Sequence, residues 1–185
     1  MMLVDFGLVV ASHGDLSEAD ADFSAIERLY EEQDALAAFD AVTIAKKASG
    51  EARFGRRHRQ LGVAADDEPV EWSLAAGLAA ALYPSVGVDL SSRWLVDLET
   101  LSAVAGTVQR GLGRAGLTAV GEHLDGRSAA LIAACTIGID RTVEDQLGAS
   151  RPVVVRHISV DVGDIALHCH QASRSRSKSP DHSER

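Results

Sequence analysis

The hydrophobic and polar positions change period several times along this chain, and each change marks an element. Residues 3–12 (LVDFGLVVAS) are a short apolar run rich in Val and Leu. The run stops at Ser12-His13-Gly14, as a buried strand does before a turn. Between residues 17 and 37, apolar Phe23, Ile26, Leu29, Tyr30 and Leu36 are set among acids. Positions 23, 26 and 30 share one helical face, and the acids after Ser17 favour the positive end of a helix dipole. The stretch FDAVTIAKKASGEARFGRRH alternates on both sides of Ser49-Gly50, which predicts a β-hairpin.

The second half repeats the theme. Residues 116–124 predict a short helix ended by Asp125-Gly126, and 127–137 a buried strand. Residues 140–149 predict a helix stopping at Gly148, and 152–158 another strand. Val162, Ile165, Ala166 and Cys169 recur at helical spacing and predict a closing helix. From Ala172 the chain is Ser, Arg, Lys and Pro, so residues 172–185 are expected to be a disordered basic tail.

The middle is different. From Trp72 to Val88 no residue is charged, although 24% of the chain is Asp, Glu, Lys or Arg. A membrane span needs about 20 apolar residues, and Pro84 ends a helix here near Tyr83, after about 18 Å of rise. Leu74, Leu78 and Leu82 form a stripe, with Ser73/Gly77 and Ala76/Ala80 as small pairs that permit close helix contact. Next, Trp94, Leu98, Leu101, Ala105, Val108 and Leu112 are spaced by alternating fours and threes, the seam of a helix packed on helices. Asp97, Glu99, Gln109 and Arg110 on its other faces do not belong in hydrocarbon. Residues 68–114 therefore predict an apolar helical hairpin inserted into one domain, residues 1–171.

The element order, βαββ–insertion–αβαβα, predicts an α+β fold: a ferredoxin-like open-faced sandwich carrying that hairpin. A strand, LYEEQDALAAFDAVTIAKKASGEARFGRRHRQ, a small-residue apolar middle and LTAVGEHLDGRSAALIA together resemble a family of small bacterial domains of unknown function. Its members are described as predicted membrane or general-stress proteins. The resemblance covers roughly residues 3–170 and implies two α/β halves separated by a Gly/Ala-rich apolar segment. It carries over no catalytic residue.

Composition narrows the function classes. The net charge of −9 argues against nucleic acid as a partner. Cys135 and Cys169 both lie in apolar stretches and are expected to be buried thiols. The N-terminus lacks the basic region and long apolar core of a secretory signal, so a cytoplasmic chain is expected, with membrane association as the alternative.

Charge is segregated. Residues 15–34 hold eight acids and one base, whereas Lys46, Lys47, Arg53, Arg56, Arg57 and Arg59 crowd the hairpin with only Glu51 between them. That hairpin could hold an anionic lipid head group, or pair with the acidic helix.

Histidine chemistry is thin. His168-Cys169-His170 has metal-ligand types, but on a helix His168 and His170 diverge, so no metal site is expected. His13 and His157, each at a strand, are the remaining acid–base candidates. Ser12-His13-Gly14-Asp15 is no triad, since neighbours on a strand diverge, and GLGRAG (111–116) ends a helix rather than opening one after a strand.

The sequence thus predicts a non-enzymatic, stress-associated homo-oligomer without cofactor. Leu74, Leu78, Leu82, Trp94, Leu98, Leu101, Ala105, Val108 and Leu112 are expected to make the oligomer or hairpin contact. Peripheral binding of anionic lipid is the alternative, through residues 46–59 and 72–88. A third reading, by fold analogy, is a small-ligand or haem-binding enzyme of the dimeric ferredoxin-like type.

Overall fold

In the computed structural model, residues 3–58, 60–63, 69–86, 98–148 and 152–177 are described. Strand β1 (Leu3–His13) leads into helix α1 (Leu16–Glu32), a 3-10 turn (Leu36–Ala38), β2 (Asp40–Lys46) and β3 (Ala52–His58). A small antiparallel ribbon, β4 (Gln60–Val63) with β5 (Pro69–Trp72), precedes helices α2 (Leu74–Leu82) and α3 (Leu98–Leu124). Then come β6 (Ala129–Thr136), α4 (Asp140–Gly148), β7 (Val153–Asp161) and α5 (Val162–Ser177).

The fold is α+β. Five strands make one antiparallel sheet in the order β3-β2-β6-β1-β7. Two β-α-β units interlock in it: β6 lies between β1 and β2, and β1 lies between β6 and β7. Because side chains alternate along a strand, β1 feeds two cores. Phe6, Leu8 and Val10 meet Leu74, Leu78, Val104, Val108 and Ile165 on one face. Val9 and Ala11 meet Phe23, Ile26 and Tyr30 of α1 and Val143 and Leu147 of α4 on the other.

The α+β sandwich has α1 and α4 on one face, and α2 and α3 cover the other. The physical reason lies in α2 itself. Leu74, Ala75, Ala76, Gly77, Leu78 and Ala79 are all buried, so the helix has little polar side to give to water. A helix that is apolar all round has to be enclosed. Among the described residues no helix is long and apolar enough to cross a membrane.

Local signals set the element ends. Asp15 caps α1 by accepting from the Glu18 nitrogen, so the helix starts at Leu16, one residue before the expected stretch. The helix stops earlier than expected because Asp34 takes a left-handed conformation (φ 53°). The Asp34 and Ala35 nitrogens then return to the Glu31 and Tyr30 carbonyls, a Schellman closure. In the β2–β3 hairpin Gly50 has φ 83°, inside a turn closed by the Lys47 nitrogen on the Glu51 carbonyl. The GLGRAG stretch is a kink: Gly113 (φ 64°, ψ 174°) breaks α3 into two helical lengths.

The closing helix runs to Ser177, six residues into the stretch expected to be disordered.

The two inserted helices touch through glycine. A β-carbon on Gly77 would sit 2.6 Å from Val104 Cγ1 and 3.2 Å from the Ala105 nitrogen. Gly77→Ala gains about 1 kcal/mol in helix propensity. Overpacking costs about 1–3 kcal/mol, so the variant should be less stable than the parent. On α3, Gly121→Ala would meet only Leu82 Cδ2, at 3.9 Å, so propensity prevails and the urea midpoint should rise. Urea titration of the two variants checks the pair; equal shifts would contradict the close approach at Gly77.

Candidate functional site

Most of the inserted leucines are spent inside the chain. Leu74, Leu78, Leu101 and Val108 are buried, while Leu82, Ala105 and Leu112 are half-buried. Leu98 stays exposed, and Trp94 lies outside the described residues. The seam is a contact of α2 with α3 and of both with the sheet, so a second copy has little of it to meet.

A buried carboxylate holds α2 in place. Asp40, fully buried at the start of β2, accepts from Ser73 Oγ (2.5 Å) and from the Leu74 (2.7 Å) and Ala75 (3.2 Å) nitrogens. Ser73 in turn caps the Ala76 nitrogen at 2.9 Å. A negative charge at a helix N-terminus is favourable. Burial nevertheless dominates and pushes the Asp40 carboxyl up to about 6, against the three hydrogen bonds and the Arg57 charge, which lower it.

The acidic helix and basic hairpin meet inside the chain. Two residues of β3, Gly55 and Arg56, bulge opposite Thr43. A β-carbon on Gly55 would lie 2.5 Å from Thr43 Oγ1 and 2.6 Å from Leu16 Cδ1, so only glycine fits there. Thr43 Oγ1 accepts from the Arg56 nitrogen (2.6 Å) and donates to Asp20 Oδ1 (2.6 Å). The Arg56 guanidinium donates to Glu27 Oε2 (3.0 Å) and Ser24 Oγ and lies over the Phe23 ring at 4.3 Å. His58 reaches Glu27 at 3.8 Å and the Leu36 carbonyl at 3.1 Å.

Lys47 pairs with Glu51 (2.7 Å), and Lys46 reaches the Leu124 carbonyl (3.4 Å) and Asp125 (3.9 Å). Arg57 is half-buried on the α2 side, Arg53 is exposed, and Arg59 lies outside the described residues. Among the described residues these bases thus do not converge on one anion site.

The histidines divide by burial. His13 is buried and its ring is held by Asp22 Oδ2 (2.8 Å) and the Ala11 carbonyl (3.1 Å). His13 and His157 do not share a cleft: His157 pairs with Gly7, six residues up β1 from His13, or about 20 Å. Burial pushes His123 below its ordinary value, despite the nearby Pro152 and Val10 carbonyls, so it stays neutral. His168 lies on α5 against its own Asp164 carbonyl (2.7 Å), while the side chains of Cys169 and His170 are outside the description. Among the described residues no group of three ligands could hold a metal.

Cys135, Gly7 and His157 form one row across β6, β1 and β7. At its inner end the Cys135 thiol lies beside the Tyr30 hydroxyl, and burial pushes it up to about 12. That thiol is inert as a nucleophile. At its outer end His157 is 58% exposed, yet its Nε2 donates to Asp140 Oδ2 at 2.7 Å. Asp140, 7% exposed, opens α4 and also accepts from the Gly138 nitrogen (2.9 Å). Burial works to raise its carboxyl, but the bonds from His157, Gly138 and the Arg141 nitrogen outweigh it and hold the carboxyl below the usual range. The result is an exposed imidazole oriented by an ionised, buried carboxylate.

Gly7 makes this geometry possible. A β-carbon there would fall 2.7 Å from Asp140 Cβ. Sequence reasoning singled out His157 without its partner, because residues 140 and 157 meet only through strand register. Asp140 carried one signal: an acid at the first position of a predicted helix. Asp40 carried none.

No protein-family model matches this chain, and no curated protein and no solved structure matches it either.

Two outcomes follow from these carboxylates. The folded state binds the Asp40 proton more tightly than the unfolded chain, whose Asp titrates at about 3.9. Its stabilising contribution is therefore full below about pH 4 and lost as pH rises through about 6. Relative to Asp40→Asn, the parent should gain on the order of 3 kcal/mol on going from neutral pH to about pH 4. Denaturant titrations of both proteins across that range measure it, and a constant difference would contradict the burial. Separately, Gly7→Ala should cost about 1–3 kcal/mol and detach Asp140 from His157. The nitrogen-15 resonance of Nε2 should then move towards that of a solvated imidazole; an unchanged resonance would refute the contact.

Proposed function

We propose that the chain is a non-catalytic, self-associating cytoplasmic unit of ferredoxin-like arrangement that pairs with a second copy of itself along β7. The strand order β7-β1-β6-β2, with its interlocked crossovers, supports the ferredoxin-like reading. On this reading β3 extends the sheet, and the α2–α3 hairpin is a cover for one face. The layout of two α/β halves around an apolar segment is the basis for keeping the stress-associated family with it. The polar clusters support a non-catalytic role, since the thiol is inert and Asp40, His13 and Arg56 are all engaged within the chain.

One observation carries the self-association: the two sheet edges are guarded differently. Native edges are blunted by bulges and charges, because unpaired N–H and C=O groups otherwise recruit another strand. The β3 edge has a bulge at Gly55-Arg56 and three arginines (Arg53, Arg56, Arg57). The β7 edge pairs over nine unbroken positions with β1 and carries Val153, Val154, Val155, Ile158 and Val160. Among the described residues no strand pairs its outer side. A second copy satisfies it by antiparallel addition, giving a continuous ten-stranded sheet. The lipid-binding alternative draws less support, because Arg56, Lys46 and Lys47 already face carboxylates or carbonyls.

Light scattering on the full chain should give twice the chain mass. Val153→Lys with Val155→Lys should return a folded monomer, since edge lysines oppose pairing. By contrast, Leu101→Asp with Val108→Asp should unfold the chain, because both side chains are buried within it. A parent monomer across the micromolar range would overturn the proposal. So would a folded monomer from the Leu101/Val108 variant, which would return the interface to the hairpin.

A further inference from the structure

We propose that the β7–β7 dimer binds one divalent transition-metal ion on its two-fold axis, between His157 and His157 of the partner subunit. This inference rests on the edge pairing proposed above, because a single chain offers one imidazole there and no group of three ligands among its described residues. The site is incomplete without the second copy.

Register supplies the juxtaposition. Strand β7 runs from Val153 to Asp161, and its midpoint is His157. An antiparallel pairing of the whole strand with its own copy, about a two-fold axis normal to the sheet, sets each residue opposite its mirror position. His157 then faces His157 of the partner subunit. Directly opposed residues of an antiparallel pair point to the same face, with β-carbons about 4.5–5.5 Å apart. Val154 faces Val160 of the partner subunit in the same register, and Arg156 faces Ile158 of the partner subunit, so no like charges are opposed.

The ring is prepared for a metal. Asp140 Oδ2 holds Nε2 at 2.7 Å, which leaves Nδ1 as the ring nitrogen that can take a metal. Nδ1 has no hydrogen-bond partner among the described residues, and the side chain is 58% exposed. A carboxylate on the far nitrogen is the support that metal-bound histidines ordinarily have; it fixes the tautomer and raises ligand basicity. Two Nδ1 atoms at metal–nitrogen distances of about 2.0–2.1 Å span the gap between opposed strands, and water completes the shell. Imidazole nitrogen selects Zn²⁺, Ni²⁺ or Cu²⁺ over Mg²⁺ and Ca²⁺, which prefer oxygen.

Titration of the full chain with zinc chloride, followed by calorimetry and light scattering, tests the site. One zinc per two chains is expected, with the dimer dissociation constant falling at least tenfold. His157→Ala should remain a dimer in chelator and lose the zinc response. Asp140→Asn should weaken zinc binding about 10–100-fold while circular dichroism reports an intact fold. A parent that is dimeric in chelator yet indifferent to zinc overturns the metal site and leaves the edge pairing standing. Zinc binding that survives in His157→Ala also overturns the site. A parent that is monomeric with and without zinc overturns the edge pairing itself, and the site with it.

Discussion

The contact of Asp40 with the start of α2 is the interaction on which the rest of the arrangement depends. A helix of leucine, alanine and glycine has no polar side by which to choose an orientation; the hydrophobic effect buries it without directing it. Direction comes from its N-terminal N–H groups, which need acceptors wherever they are buried. Asp40 supplies two such bonds from the sheet and takes a third from Ser73. The cost is a carboxylate out of water, offset by those donors and by the Arg57 charge. With α2 anchored, Gly77 fixes how closely α3 approaches, and Gly111 of α3 in turn lies against Ile158 of β7. One capping contact thus orders the whole second face of the sheet.

Elements were legible in the sequence where local chemistry decided them. The alternation around Ser49-Gly50, the apolar run at 3–12 and the leucine spacing between 98 and 112 each reflect one face of one element. What was not legible depended on pairing. No local pattern tells that Asp40 faces α2, or that Cys135, Gly7 and His157 align across three strands, because register is fixed by the assembled sheet. The same holds for the leucine stripe of α2. Its pattern announces a buried contact but is silent on whether the partner is another chain or the other face of its own sheet. Charge segregation was equally ambiguous until the Thr43 bulge brought Arg56 over Phe23 and within reach of Glu27.

Polar groups are used in this fold chiefly as geometry. The bulge at Gly55-Arg56 bends the β3 edge and turns an arginine inward, which protects that edge and ties α1 to the hairpin at once. Among the described residues no bulge interrupts β7. The difference follows from the connections: β3 leads directly into the β4–β5 ribbon and the insertion, whereas β7 passes from Pro152 straight along β1 and into α5. An edge that is straight and rich in β-branched residues is stable only if its backbone groups find water or a strand.

Gly7 links the interior of the sheet to that edge. A side chain at this position of β1 would occupy the space that Asp140 fills. Its absence lets α4 begin with a carboxylate pressed against the sheet, where burial works to raise it. The Gly138 and Arg141 nitrogens and the His157 ring keep it charged. An ionised buried acid can only accept hydrogen bonds, so it dictates which nitrogen of His157 bears the proton. The chemical character of the imidazole on β7 is therefore decided one strand inward, by the one residue type that leaves room for the carboxylate.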